Sequence, residues 1–163
     1  MASPEPKRAA PSLSLSVQYA DPRLKQIVPR QSMRRWVQAA LLAPAELTIR
    51  FVDAAEARTL NREYRQRDYA TNVLTFAYNE EEVGTPSNLV QADIVLCTDV
   101  LQQEAAEQGI AITHHAAHLV VHGVLHAQGW DHEDEAEAAE MEQRETAILL
   151  SLGFADPYSS PGM

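Results

Sequence analysis

Cysteine is nearly absent from this chain of 163 residues, which contains only Cys97. A disulfide framework is therefore excluded, and because Cys97 lies in an apolar, strand-like run, we expect a buried, reduced thiol in a cytoplasmic protein. Runs of about 18 apolar residues are absent too, so no segment is expected to span a membrane. Residues 1–11 lack the apolar stretch of a secretory signal. We expect a disordered leader at 1–11, one domain at 12–158 and a short tail at 159–163.

Basic residues are scarce in the second part of the chain. Residues 1–67 contain 12 of the 13 Lys and Arg with 6 acidic residues, whereas residues 68–163 contain one base and 17 acids. The net charge of −10 would repel a polyanion, yet a local basic face can still bind phosphates. We interpret the acidic part as solvated surface. The basic part is either a phosphate-binding face or another solvated one.

The hydrophobic pattern predicts four strands and about five helices. Alternating or apolar runs predict strands at 13–19, 46–52, 72–78 and 89–97. Helices are predicted at 31–43, after a cap at Asp53, after a cap at Thr98 or Asp99, from Thr113 onward, and at 134–152. This order predicts an α+β (α/β-like) single domain, in which a small four-stranded mixed sheet and the helices surround a buried helix that carries histidines.

The most informative stretch is HGVLHAQGWDH at 122–132. His122 and His126 are four residues apart, so on a helix they lie on one face and can converge on one metal ion. Gly129 can adopt the left-handed conformation that ends a helix, which would let His132 turn back toward the other two. Three imidazoles leave one position of a tetrahedral zinc ion open for water, which is typical of catalytic sites.

The same helix carries His114, His115 and His118, so the ligands must be chosen. A lone helical histidine is most often satisfied by a hydrogen bond in the core or at the surface. His118 and His126 are separated by about 12 Å of helix rise, which excludes good tetrahedral geometry together with His122. We therefore expect one Zn²⁺ per chain on His122, His126 and His132, with His118 as a pocket residue that contacts RNA.

Gly123 argues against peptide hydrolysis. The spacing H-x-x-x-H-x-x-G-x-x-H is typical of metzincin proteases, in which a glutamate after the first histidine is the general base. Glycine has no side chain that can accept a proton, so this chain keeps the metal ligands and lacks the base.

A second stretch, YRQRDYATNVLTF at 64–76, is followed by ADIVL at 92–96 and then by HGVLHAQGWDH. From about Ala45 to Tyr158 the chain resembles the YbeY family of bacterial endoribonucleases and ribosomal RNA maturation factors. The family patterns are YR-x-x-D-x-x-TNVLSF, GDIVI and HG-x-LH-x-x-G-x-DH. The departures lie at four positions where the family usually has other residues: Thr75, Ala92, Ala116 and Ala127. None of them removes a histidine or arginine of the motifs.

The resemblance implies zinc on the three histidines and a functionally important arginine at Arg65. It implies a zinc-dependent, single-strand-specific endoribonuclease that processes the 3′ end of 16S ribosomal RNA and takes part in ribosome quality control. It also implies small-subunit ribosomal components and the Era GTPase as partners, with no DNA substrate expected. Without the resemblance, a surface ion pair with Asp68 or Glu63 would be the ordinary role of Arg65. Further RNA contacts are expected from Arg58, Arg62 and Arg67.

Two alternatives belong to other functional classes. One is a ribosome-assembly factor whose zinc is mainly structural and whose RNA cleavage is weak or indirect. The other is a metal-dependent hydrolase of a different substrate, because the motif contains no explicit general base.

Overall fold

A computed structural model describes residues 11–78, 89–130 and 134–156. Its four strands are β1 (Leu13–Tyr19), β2 (Ala45–Val52), β3 (Val73–Ala77) and β4 (Val90–Cys97), and they form one sheet in the order β1-β2-β4-β3. β1, β2 and β4 are parallel, while β3 pairs antiparallel to β4. The predicted four-stranded mixed sheet is confirmed, and each strand begins and ends within one residue of its predicted bounds.

Five α-helices accompany the sheet in the described part of the chain. They are α1 (Arg30–Ala40), α2 (Ala54–Arg65), α3 (Thr98–Gln108), α4 (Ile112–Ala127) and α5 (Glu135–Ser151), and a short 3-10 helix covers Pro22–Leu24. Parallel strands need a crossover connection, and α1 supplies it between β1 and β2. The expected α+β architecture is therefore confirmed. The acidic stretch 79–88 lies outside the described residues.

The helix that carries the histidines, α4, lies at the centre of the molecule. It packs against α1, α3 and α5 and against strands β3 and β4. Its apolar side chains are almost completely excluded from solvent, as Val120, Val121, Val124 and Leu125 show with 0% exposure. A fully buried side chain of this kind contributes roughly 1.5–3 kcal/mol, so the core fixes α4 firmly against the sheet.

Gly123 lies where α4 packs closely against the sheet. A Cβ atom at this position would lie 3.1 Å from Cγ2 of Ile94 and 3.5 Å from Oγ1 of Thr75. Ile94 is itself fully buried on β4. The glycine therefore permits close helix–sheet packing, and a side chain here would be directed at the sheet.

The other face of the sheet is covered by α2 only at one end. A smaller apolar cluster lies there, formed by Val52, Ala57, Leu74, Val95 and Cys97. Cys97 is buried with a free thiol, as predicted, and burial raises its pKa. The thiol is thus a structural group with little nucleophilic character. No helix among the described residues combines the length and apolarity needed to cross a membrane.

The predicted end of the first helix is wrong because a side chain from elsewhere satisfies the backbone there. The first helix ends at Ala40 rather than at residue 43. The amide of Gln128 donates to the carbonyl oxygen of Ala40 (2.8 Å) and accepts from the N–H of Leu42 (2.7 Å). These bonds replace the next helical hydrogen bonds and let the chain turn into β2.

The predicted cap of α3 is also wrong. Cys97 is the N-cap residue and makes no side-chain cap bond, and Thr98 is already helical. The carboxylate of Asp99 instead accepts from the backbone N–H of Ala54 at 2.7 Å, at the start of α2. α2 itself is capped by Asp53 as predicted, with Glu56 N–H as the donor.

One further helix boundary differs from the prediction. The histidine helix begins at Ile112 and not at Thr113.

Tyr64, near the end of α2, is 64% exposed. The buried stripe of α2 ends at Asn61, and the ring of Tyr64 lies edge-on to Phe76 at 5.4 Å between ring centres.

Candidate metal and RNA-binding site

His122 and His126 lie on the same face of α4, one turn apart. Their rings are parallel within 2°, and their centres are 6.5 Å apart. Both are partly exposed in a helix whose residues are mostly buried. They open into a cavity of about 380 Å³.

The facing wall of this cavity comes from α2, the turn after it and β3. Besides the two histidines, the described lining residues are Asn61, Arg65, Arg67, Thr71, Val73, Leu74 and Thr75. The two sequence motifs, more than forty residues apart in the chain, therefore meet at one cavity. This arrangement brings Arg65 and the paired imidazoles together.

Arg65 is the last residue of α2, and its position is fixed by contacts to β3. Gln66 after it is left-handed, with φ of 59°, which turns the chain away from the helix axis. Nη2 of Arg65 donates to the carbonyl oxygen of Thr75 at 2.6 Å, and the guanidinium carbon lies 5.4 Å from the ring centre of Phe76. The guanidinium is thus held across the cavity wall by a hydrogen bond and a cation–π contact.

The ion pair with Asp68, which was the ordinary alternative for Arg65, is made by Arg58 instead. Nε and Nη2 of Arg58 donate to the two carboxylate oxygens of Asp68 at 2.7 and 3.0 Å. This pairing lowers the pKa of Asp68 and raises that of Arg58. Both side chains are more than half exposed, so their ion pair adds little to stability.

The other predicted RNA contacts divide into two groups. Arg67 lines the cavity with Arg65. Arg58, Arg62 and His118 are not among its described lining residues. Arg62 is exposed on α2 and acts on the carboxylate of Asp68 through its charge.

The remaining histidines of α4 are not among the described residues that line the cavity. The ring of His114 stacks on Phe154 at 5.4 Å, and burial lowers its pKa. His115 is 3% exposed, and its Nε2 lies 2.9 Å from Oε1 of Glu104. Nε2 of His118 lies 3.6 Å from Oε2 of Glu145. These contacts agree with the expectation that most helical histidines are satisfied locally.

Glu145 on α5 is a site residue that the sequence analysis missed. Its carboxylate is 1% exposed, and Oε1 lies 2.5 Å from Nδ1 of His122. The sequence does contain a signal for this residue. Glu145 lies four residues after Met141 and three before Ile148, so it falls on the buried stripe of α5. A charged residue on such a stripe is expected only with a partner.

The donor set fits zinc at His122. An ionised carboxylate at Glu145 can only accept a hydrogen bond, which would place the proton of His122 on Nδ1 and leave the lone pair on Nε2. Metal-bound histidines usually have this arrangement, in which one nitrogen donates to a carboxylate and the other binds the ion.

The predicted third ligand, His132, lies outside the described residues. Gly129 has φ of 98°, so the predicted left-handed turn after α4 is present. Among the described residues, no group of three or more His, Cys, Asp or Glu side chains is placed to hold a metal ion. The assignment of His132 therefore stays a prediction.

A larger groove of about 750 Å³ adjoins the cavity on the open face of the sheet. It shares Arg65 and Thr75 with the cavity. Its walls include Tyr64 and Tyr78, which are both more than half exposed, and the hydroxyl of Tyr78 donates to Asp93 at 2.6 Å. The groove combines aromatic rings with polar groups that can pair with the edges of bases.

The chain is similar over most of its length to proteins of one family. A family model described as Endoribonuclease YbeY matches residues 17–153. A relative from Janthinobacterium sp. (strain Marseille), named Endoribonuclease YbeY, is 66% identical over 146 residues, which cover 90% of this chain and 94% of the relative. A relative of the same name from Herminiimonas arsenicoxydans is 62% identical over 148 residues, covering 90% and 95%.

The fold is also found among solved structures. The solution structure of a protein from Thermotoga maritima matches with a TM-score of 0.53 at 20% identity, and the match covers 91% of this chain and 99% of that one. The family model and the relatives place the chain among proteins that bear the name endoribonuclease. The chain belongs to the YbeY family, as its motifs predicted.

Proposed function

We propose that this protein is a zinc-dependent endoribonuclease specific for single-stranded RNA. One Zn²⁺ per chain would be held by His122, His126 and His132, and Arg65 would bind the phosphate at the scissile bond. The observation that carries the proposal is the single cavity lined by the paired imidazoles and by the guanidinium of Arg65. The names of the relatives support RNA as the substrate.

Zinc, when bound, would supply Lewis-acid polarisation of a phosphoryl oxygen and a water nucleophile at near-neutral pH. The residues of the chain would bind the phosphate and orient the RNA strand. Gly123 contributes no general base and faces Ile94 of the sheet, which favours phosphodiester over peptide hydrolysis because the protease mechanism lacks its proton acceptor.

Arg65 is well suited to bind a phosphate. Its guanidinium carries five N–H donors, and the bond to the carbonyl oxygen of Thr75 uses only one of them. That bond and the contact with Phe76 reduce the entropy lost when the phosphate binds. A planar guanidinium can hold two phosphate oxygens at once and stabilise negative charge that develops there.

The groove supports the proposed preference for single strands. Bases can enter and stack on aromatic rings only when they are unpaired. The groove leads from Arg65 past Tyr64 and Tyr78, so a strand whose phosphate lies at Arg65 can place a neighbouring base there. Arg67, on the cavity side, would contact the backbone of the same strand.

The finer biological role comes from the family resemblance. We propose that the substrate is 16S ribosomal RNA near its 3′ end and that the protein acts in ribosome quality control in the cytoplasm. Small-subunit ribosomal components and the Era GTPase are the proposed partners.

The test is cleavage of one labelled RNA sequence as a single strand and as a duplex. Protein freed of metal by a chelator is assayed before and after addition of one equivalent of zinc. We expect the single strand to be cut only after zinc is added, and the duplex to resist. Equal cutting of both forms, or cutting by the metal-free protein, would refute the proposal.

A further inference from the structure

Glu145 is a buried acidic residue that the proposed reaction does not use. It lies on the buried stripe of α5 with Met141, Ile148 and Leu149, and it is 1% exposed. Removing an ionised carboxylate from water costs free energy unless close partners compensate it. The contacts of this carboxylate therefore indicate why the position holds a glutamate.

The two carboxylate oxygens contact two histidines that are one turn apart on α4. Oε1 lies 2.5 Å from Nδ1 of His122, and Oε2 lies 3.6 Å from Nε2 of His118. The contacts fix the orientation of the carboxylate, with the first oxygen directed at the histidine of the cavity. His118 therefore contacts Glu145 and is not among the described residues that line the cavity.

We propose that Glu145 is a positioning residue for the metal site, and the proposal rests on the zinc site of the proposed function. Its carboxylate accepts the Nδ1 proton of His122, which fixes the tautomer and the ring orientation before any metal arrives. Nε2 of His122 is then the nitrogen that binds the ion. A negative acceptor behind the imidazole also increases the electron density on Nε2 and strengthens its bond to the metal.

A similar contact elsewhere on α4 provides a matched control. Glu104 of α3 lies 2.9 Å from Nε2 of His115, so it is also a glutamate that pairs with a buried histidine of this helix. Glu104 also accepts from Nδ2 of Asn72 at 3.1 Å. Neither Glu104 nor His115 is among the described residues that line the cavity. If such glutamate–histidine contacts were purely structural, replacing either glutamate would change zinc affinity to the same extent.

The experiment compares the zinc affinity of the full-length wild-type protein, Glu145→Gln and Glu104→Gln. Each protein is stripped of metal, and zinc is titrated in competition with a chromogenic chelator. We expect Glu145→Gln to bind zinc about 10–100-fold more weakly, because a neutral amide is a poorer acceptor behind the imidazole. Glu104→Gln should bind zinc as wild type does.

A second measurement does not depend on whether Glu145→Gln folds. Nitrogen NMR of the metal-free wild-type protein reports which ring nitrogen of His122 is protonated, and we expect Nδ1. A proton on Nε2 would overturn the proposed role, as would wild-type zinc affinity in folded Glu145→Gln. If wild type itself took up no zinc, the metal site of the proposed function would fail as well.

Discussion

Nη2 of Arg65 donates a hydrogen bond of 2.6 Å to the carbonyl oxygen of Thr75. The bond joins the end of α2 to β3, the strand that α4 packs against. It places a permanent positive charge on the wall that faces His122 and His126. The motif that carries His122 and His126 and the motif that carries Arg65 thus form one site, because this hydrogen bond holds the end of α2 against the sheet.

Replacing Arg65 by alanine should abolish most RNA cleavage and leave the fold and the zinc content intact. In the proposed mechanism the guanidinium binds the phosphate and does not ligate zinc, so we expect a loss of roughly 100-fold or more in the cleavage rate. Arg65→Lys should restore only part of it, because an ammonium group lacks the planar fork. Cleavage rate, zinc content and melting temperature should be measured on the same preparations.

The control for this prediction is Arg58→Ala. Arg58 lies on the same helix and pairs with Asp68, and its loss should leave the cleavage rate close to that of wild type. Wild-type cleavage by zinc-replete Arg65→Ala would remove Arg65 from the mechanism. Loss of zinc in that variant would make its role structural.

RNA binding should weaken as salt is added, and Arg67 should contribute to that dependence. Each phosphate contact releases counterions from a single strand, so Arg67→Ala should reduce the slope of log affinity against log salt by about 0.7. Arg62→Ala, which removes a charge that does not line the cavity, should change the slope less. An affinity independent of salt would show that these arginines do not contact the phosphate backbone.

Gly123→Ala should destabilise the fold. Alanine is the better helix former by about 1 kcal/mol, but its Cβ would lie 3.1 Å from Cγ2 of Ile94, which is fully buried. Overpacking of this kind costs about 1–3 kcal/mol, so we expect a net loss of about 1 kcal/mol. Urea denaturation measures it, and Ile94→Ala in the same protein, which removes Cγ2, should reduce the loss. A stabilised Gly123→Ala protein would show that Ile94 has room to move.

Asp21→Asn should lower stability at neutral pH and have no effect in acid. Asp21 is 7% exposed, and hydrogen bonds from Arg23 lower its pKa below the ordinary 3.8. Its contribution is therefore present above 3.8 and is lost as the pH falls through the lowered pKa of the folded state. We expect a difference of about 1 kcal/mol near neutrality. A difference from wild type that stays constant down to the acid limit of folding would contradict this sign.

The strands were predictable because their pattern is local. In β1, alternation alone gives the observed bounds, Leu13–Tyr19. The helix ends were less predictable because distant groups determine them. Gln128 ends α1 from almost ninety residues away, and Asp99 caps the backbone of Ala54 rather than its own helix. No local pattern encodes such bonds.

The part of the site that lies on one helix was predictable from the spacing of its residues in the sequence. His122 and His126 follow from the i, i+4 rule, and their parallel rings agree with it. The contact of Arg65 with their cavity required the tertiary fold, and only the family motif indicated it beforehand. The role of Glu145 at the site was not predictable from the sequence because an acidic residue on an amphipathic helix is ordinarily exposed, and only the tertiary fold buries it beside His122.

The central claim, that the paired imidazoles hold a metal needed for RNA cleavage, is tested most directly by measuring zinc stoichiometry. Wild type, His126→Ala and His114→Ala would be purified without a histidine tag or added metal and assayed on single-stranded RNA. His114 stacks on Phe154 outside the cavity and is the control. We predict one zinc and full cleavage for wild type and His114→Ala, and loss of most zinc and cleavage in His126→Ala. Full zinc occupancy or wild-type cleavage in His126→Ala would contradict the account.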